Sequence, residues 1–216
     1  MRNLVIVGID LSGPSNIAET VAVVLQAHGE SAAFDEQLAA AGDLDILNLI
    51  SRLAQRGGVV VGLDAPLSYE PCGGLRRRDR ALQSRVMERG MRSGSVMAPT
   101  LNRMAYLTLR GLAVARLLAS TALSSVTVLE VHPGAAFCLH GAPLESVLAF
   151  KRHIAHRQSL LHWLSSQAVR NLPSEEPSDH FVAACGSAFA SWMWSTGRAA
   201  WVASPEPPLH PFALVC

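Results

Sequence analysis

Three carboxylates stand at or near the ends of apolar runs that are typical of buried β-strands. The runs LVIVGID, VVVGLD and VTVLE end at Asp10, Asp64 and Glu130. An ionised carboxylate in a strand covered on both faces is costly unless a cation compensates it. Carboxylate oxygens with no His or Cys at ligand spacing suit Mg²⁺ or Mn²⁺. The sequence therefore predicts a divalent-cation site with Asp10, Asp64 and Glu130 as metal ligands.

Asp179 supplies a fourth carboxylate. It lies on the first turn of a helix predicted over 179–196, whose apolar stripe must face the core. Two divalent ions held about 3.5 to 4 Å apart by such groups stabilise the attacking and leaving oxygens of phosphodiester hydrolysis. We therefore take Asp10, Asp64, Glu130 and Asp179 as candidate metal ligands and catalytic residues of a hydrolase.

Each carboxylate also has a purely structural alternative. Asp10 and Asp64 precede turn residues and could close Asx turns. Glu130 could form a buried ion pair with an arginine. Asp179 is a favourable charge at a helix N-terminus in any case. The metal-site hypothesis depends on the convergence of the four groups.

The elements that position these carboxylates follow from turn signals and hydrophobic spacing. Strands are predicted over 4–10, 18–26, 31–35, 59–64 and 126–131, and helices over 43–56, 102–120, 153–169 and 179–196. The order βββαβαβα makes the first, fourth and fifth strands parallel neighbours. Ligands of open α/β sheets bind outside the carboxyl ends of the strands, where the acids should meet. We expect one α/β domain over 1–216, a mixed five-stranded sheet with helices on both faces, and an arginine-rich insertion at about 65–101.

Arginines cluster in and just after this insertion. Ten arginines lie between Arg76 and Arg116 against two acids, although the net charge of the chain is only +1. The cluster is either a solvated surface or a phosphate-contacting wall beside the acids, whose binding would weaken as salt rises.

Composition limits the class of protein. Half of the residues are apolar and 16% are charged, as in compact globular proteins. The four cysteines form no C-x-x-C pair, which argues against a zinc cluster or a disulfide framework. No apolar run reaches the length of a membrane span. We expect a cytoplasmic protein with no membrane partner.

Several motifs resemble those of a known family. GIDLSG, GLDAPLS, RRRDR, EVHP and SDHFVAAC are similar to the motifs of domain of unknown function family 429, a family of predicted RNase H-like nucleases in the ribonuclease H-like superfamily. The resemblance spans nearly the whole chain. It implies an RNase H-like fold and places the four candidate acids at the metal-binding positions of the family.

The resemblance also implies substrate contacts outside the acids. Arg76 and Arg78 correspond to the arginine-rich motif of the family, and Lys151 and Arg157 to a later lysine and arginine. We add His132 from its position two residues past Glu130, where it could position a water or ligate a metal, or be a satisfied half-buried histidine.

We therefore predict a metal-dependent phosphodiesterase or nuclease that acts on nucleic acid. One alternative is a nucleotide phosphotransferase or hydrolase of actin-like architecture, because GIDLSG also resembles the first phosphate loop of that fold. Neither a P-loop nor a late glycine-rich nucleotide loop accompanies it. The other alternative is a non-catalytic nucleic-acid-binding protein that kept the fold and the basic cluster.

Overall fold

A mixed eight-stranded sheet forms the centre of the fold in the computed structural model, which describes residues 4–120, 125–173 and 175–216. The strand order is β6-β3-β2-β1-β4-β5-β8-β7. The strands are β1 Leu4–Asp10, β2 Val21–His28, β3 Ser31–Ala39, β4 Gly58–Asp64, β5 Val126–Val131, β6 Val169–Arg170, β7 Val202–Ala203 and β8 Leu214–Val215.

Helices cover both faces of this sheet. They are α1 Asp43–Ala54, α2 Arg77–Met87, α3 Arg103–Ser120, α4 Pro133–Leu139, α5 Leu144–Ala149, α6 Ile154–Ser166 and α7 Asp179–Ser195. One apolar core lies between the sheet and α1 and α3, and the other lies on the α7 face. Over the described ranges, no helix combines the length and apolar character needed to cross a membrane.

The mixed α/β class is confirmed, but the expected number of strands is wrong. The five long strands lie in the predicted places, with β1, β2 and β3 antiparallel and β1, β4 and β5 parallel. Three two-residue strands extend the sheet, and two residues are too few to give a periodic signal. The second strand also begins later than predicted, because Ile17–Glu19 forms a 3-10 helix.

Two glycines let α7 lie directly on the middle of the sheet. Gly8 of β1 and Gly62 of β4 are register partners. A Cβ at Gly8 would lie 2.1 Å from the backbone nitrogen of Ala188, and one at Gly62 would lie 2.1 Å from Oγ of Ser191. Side chains two residues apart share a face of a strand. Asp10 and Asp64, which lie two residues after these glycines, therefore also face α7.

We predict that Gly8→Ala destabilises the protein by about 3 kcal/mol or more, the upper end of overpacking costs, because the added methyl meets backbone that cannot rotate away. The measurement is urea unfolding of the native chain and the variant. Gly94→Ala is the control: a Cβ there meets no atom within 4 Å and Gly94 is not in the left-handed region, so we expect a change below about 1 kcal/mol. Equal unfolding free energies for both variants would contradict the close approach of α7.

Candidate functional site

Asp10 and Asp64 form a pair of carboxyl groups at the ends of adjacent parallel strands. The β1–β4 register places the two residues side by side, and their carboxyl groups lie within hydrogen-bonding reach of each other. Burial raises the pKa of Asp64 well above its usual range, and the negative charge of Asp10 raises it further. The pair therefore favours either a shared proton or a bound cation.

His180 completes this pair from α7. Ser178 caps the helix by accepting a hydrogen bond from the Phe181 N–H, which fixes the first turn above β1. Nδ1 of His180 then donates to Oδ2 of Asp10 over 2.6 Å. This hydrogen bond raises the pKa of His180 against the opposing effect of its burial. Sequence pattern alone does not single out His180; the available signal was its place on the first turn, next to Asp179.

Asp179 lies in the same region without joining the pair. It borders the cleft that contains Asp10 and Asp64, and its Oδ1 is 4.0 Å from Nη2 of Arg157. The Arg157 guanidinium donates to the carbonyls of Phe150, Lys151 and Pro177. Arg157 of α6 thus connects the segment after α5 to the segment before α7 by hydrogen bonds, and it does not border the cleft.

Glu130 faces the opposite side of the sheet from Asp64. The β4–β5 register pairs Glu130 with Leu63, so Val131 is the neighbour that shares a face with Asp64. Glu130 accepts hydrogen bonds from the Leu67 N–H over 3.1 Å and from both terminal nitrogens of Arg76. Glu130 therefore borders the same cleft as Asp10 and Asp64 but does not join their pair, because it forms a buried ion pair with Arg76.

Arg76 lies at the centre of a buried polar cluster. Its guanidinium binds Asp79 through Nε at 2.9 Å and Nη2 at 2.6 Å, and Ser68 Oγ through Nη1 at 2.8 Å. Burial by itself would lower the pKa of Arg76, but the charges of Glu130 and Asp79 outweigh burial and raise it. Every nitrogen of this guanidinium is engaged with protein, which leaves Arg76 no free donor group pointed at a substrate phosphate.

The Arg78 guanidinium also binds backbone groups of the protein itself. It donates to the carbonyl of Phe212 over 2.8 Å and to that of Ser204 over 3.1 Å, which ties α2 to the C-terminal segment. Burial lowers its pKa, and it does not border the cleft. The predicted phosphate contact of Arg78 has no support in this geometry.

A cleft of about 970 Å³ lies above the acid pair. Lys151 borders it and is exposed, and its positive charge acts on Asp64 in opposition to the burial effect on the pKa. His132 also borders it, but Nε2 donates to the Ser95 carbonyl over 2.7 Å and Nδ1 accepts from the Ala135 N–H over 3.1 Å. His132 is thus the N-cap of α4, and burial lowers its pKa.

The donor set fits a hard divalent cation in part. Asp10 and Asp64 offer carboxylate oxygens, which Mg²⁺ and Mn²⁺ prefer, and the burial of Asp64 beside Asp10 disfavours its negative charge unless a cation is near. Across the ranges 4–120, 125–173 and 175–216, no group of three or more His, Cys, Asp and Glu side chains is arranged to hold a metal ion. Water, the substrate and Asp179, which borders the cleft, could supply further ligands.

We predict that Arg76→Met lowers the free energy of unfolding by about 3 to 5 kcal/mol, because Glu130 and Asp79 remain buried without their counter-charge. Arg85→Met is the matched control, since Arg85 pairs with Glu88 at the same i,i+3 spacing on the exposed side of α2. That variant should lose about 1 kcal/mol or less. Urea unfolding at neutral pH measures both, and equal losses would contradict the buried cluster.

We predict that His180 titrates above 6.5 and that Asp10→Asn returns its pKa toward that value, because the first cause of the shift is the hydrogen bond to Asp10. NMR titration of the histidine ring signals measures this. His140, whose pKa burial lowers, serves as the internal control and should keep its value in the variant.

Because the raised pKa of His180 belongs to the folded state, the stability it contributes is present below pH 6.5 and is lost as pH rises through the folded pKa. A His180 pKa that is unchanged in Asp10→Asn would contradict the pairing.

The chain is similar to a known protein family. No curated protein and no solved structure matches the chain. A family model described as "Protein of unknown function (DUF429)" matches residues 8–207, a range that begins at the close-packed Gly8 and includes Asp10, Asp64, Glu130 and Asp179. The chain therefore belongs to the DUF429 family.

Proposed function

We propose that the protein is a phosphodiesterase of RNase H-like fold that hydrolyses nucleic acid with Mg²⁺ or Mn²⁺ held by Asp10 and Asp64. The observation that carries the proposal is the pair of carboxyl groups in register at the ends of β1 and β4, with a raised pKa at Asp64 and an open cleft above them. Five long strands with helical connections between β3, β4 and β5 support the RNase H-like assignment.

In this proposal each residue has a distinct task. Asp10 and Asp64 hold the cation, which when bound polarises a phosphate oxygen and favours attack by water. His180 fixes the orientation of Asp10 through its Nδ1–H. Asp179, on the same first turn of α7, provides a further carboxylate beside the cleft, and Lys151 provides a positive charge for the phosphate.

Two other residues take supporting rather than chemical roles. Glu130 and Arg76 anchor the segment after β4 through their ion pair, which keeps the backbone around Asp64 and Leu67 in place. They act on catalysis through the position of the strand ends, and the charge of Glu130 also contributes to the raised pKa of Asp64.

We predict that Asp10→Asn and Asp64→Asn each lower phosphodiesterase activity about 100-fold or more, because each removes one of the two charged ligands. The assay uses DNA, RNA, hybrid, branched and mononucleotide substrates with Mg²⁺ or Mn²⁺. Asp35→Asn is the control, because Asp35 is an exposed aspartate of β3 whose oxygen accepts from Gln26 and can be replaced by an amide oxygen. Equal activity in all four proteins would refute the metal centre.

Calorimetric titration with Mn²⁺ in the absence of substrate gives a second readout. Native protein and Asp35→Asn should bind the ion alike, whereas Asp64→Asn should bind it at least about tenfold more weakly. Cleavage that persists in excess chelator would count against a metal-dependent reaction even if the aspartates are required.

A non-catalytic nucleic-acid-binding protein is the second candidate. It is favoured by the observation that, among the described residues, the acids gathered at the cleft fall short of a preformed three-ligand site. Binding of nucleic acid that is indifferent to Mg²⁺, with no cleavage of any substrate, would select it. Hydrolysis of ATP alone within the same panel would instead select the actin-like alternative.

A further inference from the structure

The rim of the cleft carries three exposed cationic side chains. Arg103, Lys151 and Arg152 all border the cleft and are exposed. Within the part of the chain that the structure describes, their side chains make no hydrogen bond or ion pair. This separates them from Arg76, whose guanidinium is fully engaged in the buried cluster. Unpaired cations beside a cleft are available to phosphates.

Tyr106 stands beside one of these cations. It lies three residues after Arg103 on the first turn of α3, so the two side chains are neighbours on one face of the helix. Tyr106 borders the cleft and is 63% exposed. Gly13 lies next to it and has no side chain that could cover the ring. A Cβ added at Gly13 would be 3.9 Å from the Tyr106 Cβ. An exposed aromatic ring beside a cation and without a covering side chain is the arrangement that stacks nucleic-acid bases.

We propose that the cleft binds single-stranded nucleic acid, with an unpaired base stacked on Tyr106 and the adjoining phosphates contacted by Arg103, Lys151 and Arg152. This inference rests on the proposed function, because it uses the same cleft, and it adds the class of substrate. The bases of a duplex are stacked on one another and leave no face for Tyr106. A cleft of about 970 Å³ is also in the size range of small-ligand pockets, which is room for a few nucleotides.

The central test compares variants at position 106. Binding of a fluorescent single-stranded thymidine oligonucleotide is measured by anisotropy in excess chelator, so that cleavage does not interfere. Tyr106→Ala and Tyr106→Leu should weaken binding roughly 5- to 150-fold, the range of one lost base stack, whereas Tyr106→Phe keeps the ring and should bind as the native protein does. Leu109→Ala is the matched control, because Leu109 is also 63% exposed on α3 but lies outside the cleft.

An abasic oligonucleotide identifies the interacting group. It keeps the phosphates but offers no base, so native protein and Tyr106→Ala should bind it equally. If Tyr106→Ala weakens the abasic strand as much as the normal strand, the ring does not stack on a base and the proposal fails. It also fails if a duplex of the same length binds as tightly as the single strand with the same dependence on Tyr106.

Salt dependence counts the phosphate contacts. Three cations on a single strand predict a slope of about −2 for log Kobs against log[salt], and each of Arg103→Ala, Lys151→Ala and Arg152→Ala should reduce its magnitude by about 0.7. Arg116→Ala is the control, since Arg116 is an exposed arginine of α3 outside the cleft and should leave the slope unchanged. Unchanged slopes in all four variants would overturn the phosphate assignment.

These results separate this inference from the proposed function. Cleavage that requires Asp64 but is indifferent to Tyr106 on every substrate would keep the phosphodiesterase and refute the single-strand site. Single-strand binding that requires Tyr106, without cleavage in any divalent cation, would keep the single-strand site and refute the phosphodiesterase.

Discussion

The close approach of α7 to the centre of the sheet is the constraint on which the candidate site depends. Two adjacent strands carry glycine at the same level, and the helix backbone fills the space that two side chains would take. This packing brings the first turn of α7 over the end of β1, where His180 meets Asp10. A helix held further from the sheet would separate them. The sequences Gly-Ile-Asp and Gly-Leu-Asp thus combine a packing residue with a chemical one on the same strand face.

Two buried arginines fix the loops around this centre. Arg76 joins the segment after β4 to β5 through Glu130 and Ser68. Arg110 of α3 binds the partly exposed Asp43 carboxylate, the Thr20 hydroxyl and the Ala41 carbonyl. Removing one partner of the buried Arg76 cluster costs far more than an exposed pair contributes. Arg110 also holds its loops through hydrogen bonds to Thr20 and Ala41. The arginine-rich composition therefore serves the fold at some positions and leaves the cleft rim free at others.

The sequence predicts the long strands, the acids at their ends and the late helix, because these depend on local periodicity. It does not predict which acids meet. Asp64 and Glu130 look alike as ends of apolar runs, but a register offset of one residue between β4 and β5 turns them to opposite faces. The burial of Arg76 and Arg78 is not predicted either, since it depends in part on Glu130 and Phe212, which lie more than 50 residues away in the sequence. Register and distant partners are tertiary properties, and periodicity carries neither.

Charge relates the two proposals to each other. The floor of the cleft holds Asp10, Asp64 and Asp179, which repel a phosphate, while its rim holds unpaired cations that attract one. A divalent ion on the floor would remove that repulsion, so cation and nucleic acid should each strengthen the binding of the other by the same factor. The raised pKa of Asp64 has the same cause, because two buried carboxylates side by side need a positive charge. A proton on the pair supplies it when no divalent ion is bound. If both proposals hold, the acid pair creates the need for a cation, and the cationic side chains at the rim hold the strand whose phosphate meets that cation.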